Sequence, residues 1–288
     1  MDKKTVGVLA ILTASIMWAI EPILARYSYV NSDFLHTVAL RSIFVTIIAL
    51  AYALITNKGN IKIDRKEFSV LAYIAIAATV FGEVIYFYAL GKSQILNVVL
   101  LGHMQPIFVV LMGYFMLKQD KLTKFDYIGM FFMMVAATLV TTKTFGNLLK
   151  LEFGTKIDLM VLGAAFLWAT TVIAVRKYIV NLNAGVIVFY RYLISSILLL
   201  GYLALKSSLT MPNIYQIWIG IVISIGIILY YEGLTRIKGA QVSALELAAP
   251  FFASILGFVF FKETVTPLQA AGMLLMFIGV YYLAKREK

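Results

Sequence analysis

Ten apolar runs, at about 5–25, 34–56, 68–90, 95–117, 125–142, 158–178, 184–205, 214–234, 242–261 and 268–284, restrict what this chain can fold into more than any other feature. Each is unbroken and 17–23 residues long. A helix rises about 1.5 Å per residue, so about 20 apolar residues cross a hydrocarbon layer roughly 30 Å thick, whereas a membrane strand needs only about ten residues of alternating polarity. The pattern predicts an all-α membrane protein with ten transmembrane helices. Packed into 288 residues, the runs leave only short loops and no separate soluble domain. A chain that is 62% hydrophobic and 14% charged does not have the composition of a soluble globule. GKSQ (91–94) and TRIKG (235–239) must then be tight turns, because merging their flanking runs would make helices about twice the length a bilayer needs.

The net charge of +11 resolves into a topology. With each run crossing once, sixteen Lys and Arg fall on the side of the termini and seven on the other, while Arg41 and Arg191 lie within runs. This asymmetry predicts both termini in the cytoplasm and a multi-pass protein of the inner or plasma membrane. The MDKKT start leads directly into apolar sequence too long for a signal-peptide core, so it is read as a retained first span. The basic residues sit in turns and form no recognition face, so the lipid bilayer, and no nucleic acid, is the expected partner. Without cysteine, and with only His36 and His103 as imidazoles, neither a metal site nor a cofactor is expected.

The chain repeats itself. At an offset of 150, Leu12, Ala14, Trp18, Ala19, Ile23 and Arg26 match Leu162, Ala164, Trp168, Ala169, Ile173 and Arg176, and Arg41 falls on Arg191. At an offset of 144, Leu90, Val98, Leu101, Pro106, Phe108, Gly113 and Lys118 match Leu234, Val242, Leu245, Pro250, Phe252, Gly257 and Lys262. The unit is five spans, giving halves at 1–150 and 151–288. Five is odd, so the second copy enters the membrane from the opposite side, and an inverted repeat is the architecture by which many carriers expose one site alternately to two faces. The plainer reading is a duplication that only stabilises a bundle.

Four glutamates, Glu21, Glu83, Glu232 and Glu246, lie within the runs, where each is costly unless neutral, paired or facing a wet interior. The topology predicts two charged layers: Glu21, Arg41, Glu83 and His103 towards the outer ends, Arg191, Glu232 and Glu246 towards the inner ends. Arg41, Arg191 and Glu232 are therefore gate candidates, each arginine pairing with a nearby glutamate; the alternative is a guanidinium that snorkels to the interface and, for Glu232, a carboxylate that reaches the headgroups. Glu21, in WAIEP, is placed to take a proton or contact a cation. Glu83 and Glu246 are further coupling or substrate candidates, and His103 could titrate near neutral pH or supply an interhelical hydrogen bond. Trp18 and Trp168, brought into correspondence by the repeat, are candidates to line a cavity for an organic solute. Pro106 and Pro250 remove a backbone donor at matching places and are candidate helix breaks.

The stretches IMWAIEPILARY, ALRSI and FYALGKSQILNVVLLGHMQPIFVVLMGYFMLKQD, with their partners FLWATTVIAVRKY, FYRYL and YEGLTRIKGAQVSALELAAPFFASILGFVFFKET, together resemble the ten-helix, EamA-type branch of the drug/metabolite transporter superfamily. In that family a short cluster ending in glutamate commonly follows spans four and nine; Phe261, Lys262 and Glu263 keep the acidic ending, whereas Leu117, Lys118 and Gln119 lose it. The usual tryptophan-glycine pair of span one appears here as Trp18 and Ala19. The resemblance implies a secondary transporter, not an enzyme, that exports or exchanges small organic metabolites such as amino acids by alternating access, with proton coupling as one driving force. It is expected to work as a monomer, a dimer being the alternative. An ion channel and a membrane-embedded enzyme are the competing classes, the first lacking an evident filter sequence and the second a nucleophile-base spacing.

Overall fold

The structure, a computed structural model, describes residues 3–117, 123–150, 154–179, 181–234, 236, 245–246 and 248–284. Helix α1 (Lys3–Ser28) contains Pro22. Helix α2 (Phe34–Thr56) starts where the Asp33 side chain accepts from the His36 N–H at 2.8 Å. Helix α3 (Arg65–Leu90) opens with a reciprocal capping box between Asp64 and Glu67, satisfying donors that the first turn would leave unpaired, and is π-wound from Ala75 to Glu83. Helix α4 (Ile95–Met116) is interrupted at His103–Met104. It resumes with Pro106 in its first turn, where a missing N–H costs nothing.

Helix α5 (Lys124–Thr142) is followed by one short helix (Phe145–Leu149), then α6 (Lys156–Tyr178), which starts on a second capping box, Thr155 with Asp158. Asn183 caps α7 (Ala184–Leu205); α8 (Ile214–Leu234), α9 (Ala248–Phe261) and α10 (Pro267–Ala284) complete the chain. No strand occurs among the described residues, and the protein is all-α and multi-pass.

Seven helices, α1–α4 and α6–α8, are long and apolar enough to cross a membrane; α5, α9 and α10 carry apolar stretches of 10–17 residues. The expectation of ten equal spans is therefore met in full by seven elements. Residues 242–244 and 247 of the run at 242–261 lie outside the described set, and α9 is described over Ala248–Phe261. The GKSQ turn is tight, with α3 ending at Leu90 and α4 beginning at Ile95. TRIKG, except Arg236, lies outside the described residues.

Helix contacts come in matched pairs. Helix α1 packs on α8 and α6 on α3; α1 also packs on α9, and α6 on α4. Helices α2 and α7 pack together, as do α4 with α9 and α5 with α10. Large apolar side chains such as Ile55, Phe115, Leu205 and Leu274 point outwards, as lipid contact requires. Apolar contact alone gives no preference for helix over lipid, so buried hydrogen bonds help fix the arrangement. Asn97 donates to Asp158 at 2.8 Å and accepts from Gln269 at 3.2 Å, joining α4, α6 and α10.

Candidate functional site

Four buried charges from four helices meet in the interior. Arg41 of α2, fully buried, donates one Nη to Glu21 of α1 and the other to Glu83 of α3. The Glu83 carboxylate also accepts from Arg191 Nη2 of α7 at 2.6 Å and from the Tyr192 hydroxyl at 2.7 Å. Arg191 Nε donates to Thr79 Oγ1 at 2.9 Å. Glu83 is thus the shared acceptor of both arginines. Its side chain and Thr79 both lie in the π-wound stretch of α3, a winding frequently found at functional sites.

Removing an ion from water costs several kcal/mol, which only close pairing and further hydrogen bonds offset. Two carboxylates and two guanidiniums balance the charge here. The Phe87 ring lies 4.3 Å from the Arg41 guanidinium carbon, and the Tyr192 ring 5.1 Å from that of Arg191. One donor, Arg41 Nε, is buried with no partner among the described residues.

Two aromatic nests lie on helices that also carry the cluster's carboxylates, Trp18 on α1 with Glu21 and Tyr86 on α3 with Glu83. Trp18 lies against Gly226 and Tyr230, with ring centroids 5.2 Å apart and planes at 56°. Trp168 lies against Gly82 and Tyr86, at 5.3 Å and 57°. Gly82 and Tyr86 precede Gly226 and Tyr230 by 144 residues, the same offset as the later part of the repeat. A Cβ at Gly82 would come within 2.7 Å of Trp168 Nε1, so only glycine permits this approach. Trp168 Nε1 donates to the Ala78 carbonyl at 3.1 Å, within the π-wound stretch.

The structure joins Glu21, Arg41, Glu83 and Arg191 in one cluster, in place of the two layers expected from depth along the spans. Glu232 is not part of it. It accepts from Tyr52 at 2.7 Å and pairs with Arg236 one turn away. Glu246 lies apart as well, hydrogen-bonded to Tyr230 with Arg176 as its neighbouring cation. His103 bonds through Nδ1 to Val99 O at 2.8 Å, within its own helix. Pro106 lies just after the interruption of α4, and Pro250, buried, lies in the first turn of α9. Thr79, Gly82, Phe87 and Tyr192 were not singled out as site residues from the sequence, although the repeat carries the Gly82–Gly226 signal.

Among the described residues no group of three or more Asp, Glu or His side chains converges to hold a metal. These features define a class: a multi-pass, all-α membrane protein with balanced ion pairs at its centre. Residues 5–142 and 155–284 match the EamA-like transporter family, and the chain belongs to that family, one of transporters and not of enzymes. An uncharacterized transporter of Synechocystis sp. is 23% identical over 235 residues, 76% of this chain and 66% of the relative, so the match spans about two thirds of that protein. An uncharacterized transporter of Archaeoglobus fulgidus is 25% identical over 278 residues, 96% of this chain and 97% of the relative. A protein solved by crystallography shares the fold, with a TM-score of 0.69 at 18% identity over 97% of this chain and 96% of the other.

Proposed function

We propose that the chain is a secondary transporter of small organic metabolites, amino acids among them, working as a monomer by alternating access between two inverted halves of five spans, 1–150 and 151–288. Both termini are cytoplasmic in this reading, and export or exchange is the direction of use. The observation that carries it is the pair of matched nests, Trp18–Gly226–Tyr230 and Trp168–Gly82–Tyr86, each formed between a first helix of one half and a third helix of the other. Two equivalent seams across the halves give a bundle two equivalent places to open. The matched helix contacts and the two family segments support the same division.

Within this reading the Glu21–Arg41–Glu83–Arg191 cluster is the coupling centre. A proton on either carboxylate would free a guanidinium donor, and a polar headgroup could take that place. Trp18, Trp168 and Glu246 are then cavity or substrate contacts, and Arg41, Arg191 and Glu232 gate residues. The test is uptake into proteoliposomes loaded with candidate amino acids and other metabolites, with and without a pH gradient. Saturable counterflow is the expected result; a continuous, non-saturating current would point to a channel, and conversion of solute without movement to an enzyme.

A further inference from the structure

A second ionic contact, separate from the central cluster, lies at the end of α1. Glu263, two residues beyond α9, accepts from Arg26 Nη1 at 2.6 Å and from the Ile95 N–H, at the start of α4, at 2.9 Å. Arg26 also donates to the carbonyls of Leu90, at 3.0 Å, and Ser93. One guanidinium thereby ties the last turn of α1 to the α3–α4 turn and to the end of α9. The chain is bent to allow this. Lys262 adopts φ of +56°, and the Glu263 N–H returns to the Gly257 carbonyl at 3.2 Å. The side chains of Arg26 and Glu263 are only 22% and 12% exposed, so solvent screens the pair less than it would a surface one. Beside them opens a cavity of about 800 Å³ lined by Lys92, Gln94, Lys143 and Thr155 among others.

The repeat supplies the comparison. Arg26 matches Arg176 at an offset of 150, but Glu263 matches Gln119 at an offset of 144. The cation is kept in both halves and the anion in only one. Gln119 lies outside the described residues, and Arg176 has a different anion, Glu246, as its neighbour. A charge-assisted hydrogen bond is roughly twice as strong as a neutral one. A contact made in one of two conformations and broken in the other shifts their equilibrium by its strength.

We infer that Arg26 and Glu263 form a latch, which biases the protein towards the conformation closed at the face where α1 ends. The inference rests on the alternating-access reading. It is tested by measuring distances between spin labels at Lys92→Cys and Val265→Cys, two exposed positions on either side of the Glu263–Ile95 contact, in the full chain in lipid nanodiscs. The chain has no cysteine of its own, so the labels are unique.

A short distance should dominate in the otherwise unchanged protein. Glu263→Gln should raise the long-distance fraction roughly tenfold, and Glu263→Asp less. Arg26→Gln should raise the same fraction, and combined with Glu263→Gln should add little, because the two variants remove one contact. An unchanged distribution in Glu263→Gln overturns the latch. If Glu263→Gln does not fold, Arg26→Gln decides on the same readout. Solute flux is measured separately: opening without flux would leave the latch and remove the transporter reading, whereas flux with unchanged distances would remove the latch alone.

Discussion

The aromatic nests and the ionic centre, although adjacent, answer the internal duplication in opposite ways. Trp18 with Tyr230 and Trp168 with Tyr86 repeat each other closely, at 5.2 Å and 56° against 5.3 Å and 57°. At the centre, Arg41 and Arg191 correspond, but Glu21 corresponds to Thr171, and Glu83 to Ile227. Both carboxylates lie in the first family segment, residues 5–142. Packing has to be solved at each seam, so each seam retains its tryptophan, glycine and tyrosine. Charge has to be balanced only once for the pair of halves. Carboxylates at 171 and 227 as well would bury two anions with no guanidinium left to match them, at several kcal/mol each.

The sharpest way to break this comparison is to remove the shared acceptor. Glu83→Ala should destabilise the protein by about 3–5 kcal/mol, because two buried guanidiniums lose a partner at once, and thermal unfolding would show a large fall in midpoint. A midpoint within a degree of the parent would refute the central role of Glu83. Moving the carboxylate across the repeat sharpens the same point. Glu83→Ile with Ile227→Glu should recover about 2 kcal/mol relative to Glu83→Ile alone, since position 227 mirrors position 83 against the two arginines, and a double-mutant cycle measures that coupling.

The nests make a smaller prediction. Gly82→Ala drives a Cβ to 2.7 Å from Trp168 Nε1, whereas Gly226→Ala approaches Trp18 Nε1 only to 3.3 Å. The first should cost about 1–2 kcal/mol and the second distinctly less, again by thermal unfolding. Equal costs would mean that the two seams are packed alike in tightness as well as in geometry. Smallest of all, Trp168→Phe removes the 3.1 Å hydrogen bond to Ala78 and should cost about 1 kcal/mol more than Trp18→Phe.

Much of the architecture was legible because membrane helices announce themselves by length and polarity. The tight GKSQ turn, the apolar helices and the equivalence of Arg41 with Arg191 all follow from that signal and from the repeat. Sequence position gives depth along a span but not rotation about its axis, which is why Arg191 and Glu83 were assigned to separate layers when they lie 2.6 Å apart. The π-wound turns that carry Glu83 leave no mark in a hydrophobic run. Arg26 stood out only through the repeat and Glu263 only through the family's acidic ending, and nothing in their spacing of more than two hundred residues indicates that they touch. The Gly82–Gly226 and Tyr86–Tyr230 matches were present at the right offset, but glycine and tyrosine are both abundant in this chain.

The balance at the centre has an electrical consequence. With both carboxylates ionised, Glu21, Arg41, Glu83 and Arg191 sum to zero, so the empty protein can carry this group through a conformational change without moving net charge across the membrane field. A single unbalanced charge would feel about 2.3 kcal/mol per 100 mV. If the centre is the coupling site proposed above, any voltage dependence arising there would be supplied by what binds, and the current carried per cycle would count the charge of the cargo and its accompanying ions directly.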